Sequence, residues 1–170
     1  MSDTAMAIII SIHLMAIVTW LGLIVSSAFV FFPSLGRLAA DARANALATY
    51  RKNAIIVSTV AVLVLATAGT ILTAAEPHPE ATGGLFPDQW TTLIVIKHLL
   101  IGAILLFQML ALFGVQPRLI KALKESGDAP TPEEAKRIKI MTRRNQGLAL
   151  LSTLAGFGVL AIISFVVTFY

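Results

Sequence analysis

The sequence predicts an all-α integral membrane protein, an up-and-down bundle of four helices with both termini on the outer side. Three observations carry this. Of 170 residues, 57% are hydrophobic and only 13% are charged, too little charge to cover a soluble domain of this length. The apolar residues gather into four runs, roughly 6–32, 54–75, 91–115 and 147–169. The basic residues gather on one side of those runs.

Each run is long enough to cross a hydrocarbon core of ~30 Å at ~1.5 Å per residue. Backbone groups in lipid must be satisfied within the segment, so the runs are expected to be helices. No period of two is present, which excludes a β-barrel. The whole chain, 1–170, reads as a single four-span membrane domain. The first run is preceded by Met1-Ser2-Asp3-Thr4-Ala5, without Lys or Arg. It is also too long for the core of a cleaved signal, so a retained first span is expected.

Orientation follows from the Lys and Arg residues near the span ends. Segment 33–53 holds Arg37, Arg43, Arg51 and Lys52. Segment 116–146 holds Arg118, Lys121, Lys124, Lys136, Arg137, Lys139, Arg143 and Arg144. Segment 76–90 holds none, and carries Glu76, Glu80 and Asp88. Twelve of the thirteen basic residues therefore fall on one side, Lys97 being the exception. Loops 33–53 and 116–146 are expected to be cytoplasmic, in a bacterial or archaeal cytoplasmic membrane. This placement between apolar runs explains the pI near 9.8 and argues against a nucleic-acid partner; the expected partner is the lipid bilayer. The chain has no cysteine, which excludes disulfides, thiolate metal sites and iron–sulfur clusters.

Within the loops, Ala42 to Asn53 is rich in helix formers and is expected to extend the second span inward. Pro117 is a candidate kink in the third span, and Gly127 suits a helix C-cap. Thr131-Pro132-Glu133-Glu134 has the form of a helix start, with Thr as N-cap, Pro at the first position and Glu at the third. A helix beginning there should lead into the fourth span. Segment 76–90, with Pro77, Pro79, Gly83, Gly84 and Pro87, shows no regular pattern.

Ionisable residues inside spans are costly and are candidates for function. They are His13, Lys97 and His98. Both histidines lie about seven residues in from the outer end of their span, hence ~10 Å below the boundary. Spans one and three are parallel and diagonal in an up-and-down bundle. Two imidazoles at one depth on diagonal helices suit a b-type haem, with His13 and His98 as axial ligands of the iron. The small residues Ala66, Ala68, Gly69, Gly156 and Gly158 would leave volume for a porphyrin, although they equally permit plain helix packing. Lys97 can snorkel to the headgroups, or pair with a haem propionate or a substrate carboxylate. Trp20 lies seven residues after His13 on the same face, where it can line a pocket or simply pack. Gln108 shares a face with Lys97. The candidate cofactor-binding set is thus His13, His98, Lys97, Trp20 and Gly69, with His13 and His98 on the metal.

Copper is the alternative cofactor. His78, within Glu76-Pro77-His78-Pro79-Glu80, makes a loose ligand cluster with it in view. Met15 and Met109, well inside spans, have no methionine at i+3 or i+4, so no thioether row is present.

The stretch His13-Leu14-Met15-Ala16-Ile17-Val18-Thr19-Trp20-Leu21-Gly22 resembles the first span of the copper resistance protein D family. It is also similar to the bacterial membrane protoporphyrinogen oxidases of the HemJ type. Both have a His, a Trp seven residues on and a Gly soon after; Lys97 and Arg144-Asn145 fit the same superfamily. The copper branch implies copper transport or resistance. The oxidase branch implies b-haem and oxidation of protoporphyrinogen, with the residues matching His13 and Lys97 as the functional ones. After Gly22-Leu23 the chain reads Ile24-Val25-Ser26-Ser27, where the oxidases have an aromatic–Leu–Pro–Arg run. The sequence reading is therefore a haem b membrane protein in electron transfer, with a quinone or other membrane redox subunits as partners. Copper transport and a HemJ-type oxidase are its alternatives.

Overall fold

The computed structural model describes residues 2–75, 89–127 and 129–169, and every element among them is helical. Helix α1 is Asp3–Leu35 and α2 is Ala40–Ala75. Helix α3 runs from Gln89–Met109 through a wide π-type turn, Leu110–Val115, into Gln116–Ser126. Helix α4 is Pro132–Phe169. Four helices are thus long and apolar enough to cross a membrane. Polar hydroxyls within them are silenced locally. Ser11, Thr67, Thr70, Thr73, Ser152 and Thr153 each donate to the carbonyl four residues earlier, so no hydroxyl faces lipid without an acceptor at these positions.

The caps follow the chemistry of the sequence. The first turn of α4 is a reciprocal capping box. Glu134 N–H donates to Thr131 Oγ1 at 3.3 Å, and Thr131 N–H donates to a Glu134 carboxylate oxygen at 2.8 Å. Gly127, at φ +56°, closes α3 with a backbone conformation that disfavours any side chain. The expected inward extension of the second span is present, since α2 is unbroken from Ala40. The deviation in α3 comes just before Pro117 and not at it: the wide turn ends at Val115, two residues earlier, and Pro117 sits in the first turn of the next helical stretch, where it needs no N–H partner. A second wide turn, Ser27–Phe31, interrupts α1.

Helix α1 packs along α2, α2 against the last part of α3, α3 along α4, and α4 against α1. Helices α1 and α3 are therefore diagonal. One core cluster joins Trp20, Leu21, Ile24, Ala61, Ile104 and Val159 from all four helices. A second, at the end carrying the basic loops, joins Phe32, Leu35, Ala44, Leu47, Leu119, Leu123 and Ile138. Large apolar side chains such as Met15, Val18, Leu63, Leu99 and Leu154 remain exposed around the bundle. In water such a surface would drive aggregation, and it suits helices long and apolar enough to cross a membrane.

Helix α2 clamps both wide turns with consecutive residues. The Tyr50 hydroxyl hydrogen-bonds to Ser27, and its ring stacks on Phe31 at 4.4 Å between centroids. Arg51 Nε donates to the Leu112 carbonyl at 2.6 Å, and its guanidinium lies 5.6 Å from the Phe113 ring centroid. The turns are held by side chains from a neighbouring helix where regular helical bonding is interrupted.

Candidate functional site: the His13 face

His13 is half-buried on α1 and turns towards α2. A Cβ built on Gly69 would lie 3.4 Å from His13 Cε1, so the imidazole lies against the one α2 position at this level with no side chain. His13 Nδ1 is buried and has no hydrogen-bond partner among the described residues. A buried ring nitrogen without a partner is costly and calls for a proton, a water or a ligand. Lys97, half-buried on α3, lies close enough for its ammonium to act electrostatically on this imidazole. The structure therefore sets His13 against Gly69, with the charge of Lys97 within electrostatic range.

It does not bring His98 to His13. Consecutive residues on a helix point about 100° apart. With Lys97 directed to the interior, His98 is exposed on the outside of the bundle. Its Nδ1 lies 2.7 Å from the Ile94 carbonyl of its own helix. Within one chain, then, the two histidines do not face each other across the diagonal, and the charge acting on His13 is that of Lys97.

Trp20, two turns below His13, is buried and donates its indole N–H to Gln108 Oε1 on α3 at 3.1 Å. It forms the floor beneath the His13 level. Gly156 and Gly158 do not leave room for a porphyrin. A Cβ on Gly156 would meet Leu21 Cδ2 at 2.8 Å, and one on Gly158 would meet Leu100 Cδ1 at 3.1 Å, so leucines already occupy that volume. Room exists on the flank instead. Ile9, Ile12, Leu63, Val64, Thr67 and Ile71 line an apolar groove of about 350 Å³ between α1 and α2, and neither His13 nor Gly69 is among its lining residues.

A b-type haem fits part of this arrangement. The unpartnered His13 nitrogen would be a ligand donor without a competing bond, and Lys97 would supply a cation for a propionate. For copper, no group of three or more His, Cys, Asp or Glu occurs among the described residues, and His78 with the rest of segment 76–88 lies outside them.

Sequence reasoning missed a buried polar layer nearer the basic end. Ser27, Tyr50, Gln108, Gln116 and Ser152 line a small interior cavity of about 30 Å³, room for one water. Gln116 Oε1 and, close by in the chain order of α4, Asn145 Oδ1 are buried without partners among the described residues. The available signal was two uncharged amides, Gln116 and Asn145, at the edges of apolar runs.

No protein-family model, curated protein or solved structure matches this chain.

Proposed function

We propose that this is a small membrane redox protein that holds a b-type haem in the half of the bundle remote from the basic loops. His13 would hold the haem iron and Lys97 would pair with a propionate. The observation that carries this reading is the buried, unpartnered His13 nitrogen beside Gly69, with a cation across the bundle from it. Haem, when bound, would supply one-electron chemistry. The chain's own contribution is to fix the imidazole against α2, to place a positive charge opposite, and to keep water out with Trp20 and its neighbours. Electron exchange with a quinone or a membrane redox subunit suits a chain whose bulk lies in the bilayer.

A second reading uses the same pair. The resemblance to HemJ-type oxidases implies function at the residues matching His13 and Lys97, and the charge of Lys97 acts on His13 here. In that reading Lys97 engages a carboxylate of a porphyrinogen substrate. Copper transport retains only His13 among the described residues and has no second observation in its favour.

The test is the absorbance spectrum of the purified protein. The haem reading expects a Soret band that His13→Ala abolishes or shifts strongly, a smaller perturbation with Lys97→Gln, and none with His98→Ala. Absence of a Soret band from haem-replete wild type overturns it. Oxidation of protoporphyrinogen by wild type, lost in Lys97→Gln with the spectrum retained, would select the oxidase. The orientation, with basic loops cytoplasmic, is tested by Gly83→Cys and Lys136→Cys, which should label from opposite faces, position 83 from outside.

A further inference from the structure

A concavity with charged walls lies far from His13, at the basic end, where α2 and α4 begin. It encloses about 450 Å³. Three cations line it: Arg43 from α2, and Lys139 and Arg143 one turn apart on the same face of α4. Its apolar wall includes Leu38, Leu123 and Ile138. Arg43 is half-buried and spends one arm on packing: its Nη2 donates to Thr142 Oγ1 at 2.7 Å. Its Nε is buried and has no acceptor among the described residues. Lys139 and Arg143 are exposed, so their charged ends are free to close over a ligand at the mouth.

This combination selects a class of ligand. Three positive charges with no carboxylate among the described lining residues call for an anion, and a guanidinium with an unused N–H in a walled site suits the oxygens of a phosphate. The apolar wall favours an anion carrying hydrocarbon over a freely dissolved one. The depth agrees. Arg43 is level with Thr142, which precedes the apolar run of α4 beginning near residue 147 by about five residues, or roughly 7–8 Å. That is headgroup depth, since the polar layer adds several ångströms beyond the hydrocarbon on each side.

We propose that the pocket formed by Arg43, Lys139 and Arg143 binds the phosphate group of an acidic phospholipid in the leaflet on the basic side. Basic pockets between membrane helices on that side are suited to such headgroups, at about a fivefold gain in affinity for each cation near the surface. The bound lipid ties the start of α2 to the start of α4, two elements linked at this level by the Arg43–Thr142 bond.

The experiment measures thermal stability in nanodiscs of phosphatidylcholine alone, of phosphatidylcholine with phosphatidylglycerol, and of phosphatidylcholine with inorganic phosphate in the buffer. Arg43 is left intact because its loss would disturb packing. The test variant is the exposed pair Lys139→Gln/Arg143→Gln, and the control is Lys136→Gln/Arg137→Gln, which removes the same charge outside the pocket. The proposal expects phosphatidylglycerol to stabilise wild type and control alike. The lipid concentration giving half the effect should rise on the order of tenfold or more in the test variant. Stabilisation by inorganic phosphate alone, lost in the test variant, would keep the phosphate site but overturn its assignment to lipid. An equal loss in the control, or no stabilisation by either ligand, overturns the site.

Discussion

Trp20 and Gln108 join the two diagonal helices through the middle of the bundle, the indole N–H donating to the amide oxygen at 3.1 Å. Both polar groups would otherwise be unsatisfied in an apolar interior. Interhelical bonds of this kind contribute about 0.6 kcal/mol on average and up to about 1.7 kcal/mol in membrane bundles. Gln108→Leu leaves the indole donor unpaired, and Trp20→Phe leaves the amide unpaired while opening space. A double-mutant cycle read by thermal unfolding in detergent should therefore show a favourable coupling of about 1 kcal/mol. Strict additivity of the two variants would mean that the bond contributes nothing.

The start of α4 should depend on acid pH. Hydrogen bonds from the Thr131 N–H and hydroxyl hold the Glu134 carboxyl below the ordinary carboxylate range. A depressed carboxyl contributes stability above its unfolded pKa and loses it as pH falls through the folded value. Amide exchange in the first turn of α4 should accelerate as pH is lowered into that range, after correction for intrinsic rates. Glu134→Gln should flatten this dependence, and an unchanged profile in the variant would remove Glu134 as its cause.

The four spans were legible in the sequence because lipid requires long apolar helices whatever they pack against. The Thr131–Glu134 cap was legible because its chemistry is local. Which way His98 faces was not. In a soluble helix, polar residues mark the outside; here Leu99 faces outward and Ile104 the core, and both are apolar. With no polar face to set rotation, the pair Lys97-His98 could point either residue inward, and a one-residue difference is about 100°. The depth of the site could be counted along the chain, whereas its partners depended on rotation. The volume attributed to Gly156 and Gly158 failed for a related reason: a glycine marks a close approach without saying what approaches.

What approaches Gly156 is Leu21, whose Cδ2 would lie 2.8 Å from an added Cβ. Gly156→Ala therefore forces Leu21 to shift, and Gly156→Val more so. Overpacking of this kind costs about 1–3 kcal/mol. Gly156→Ala should lower the unfolding temperature, and should lower it less in a Leu21→Ala background, where the contested space is vacant. An equal drop in both backgrounds would indicate that the clash is relieved elsewhere. Gly22, with open space around its Cβ position, is the matched control and should accept Ala with little change.

Gly69 separates packing from ligand binding at the candidate site. A Cβ there would sit 3.4 Å from His13 Cε1, an ordinary contact, so Gly69→Ala should fold normally and leave His13 almost in place. Gly69→Leu extends several atoms further and must displace the imidazole or enter the space beside it. If His13 works as a ligand from this position, the haem-loaded spectrum should survive Gly69→Ala and be lost or broadened in Gly69→Leu. Far-ultraviolet circular dichroism should stay unchanged in both, because the substituted position lies on a helix whose backbone needs no glycine there: Gly127 alone among the described glycines has a positive φ. A normal spectrum in folded Gly69→Leu would place the ligand-binding face of His13 away from α2 and separate the unpartnered Nδ1 from any role in holding the cofactor.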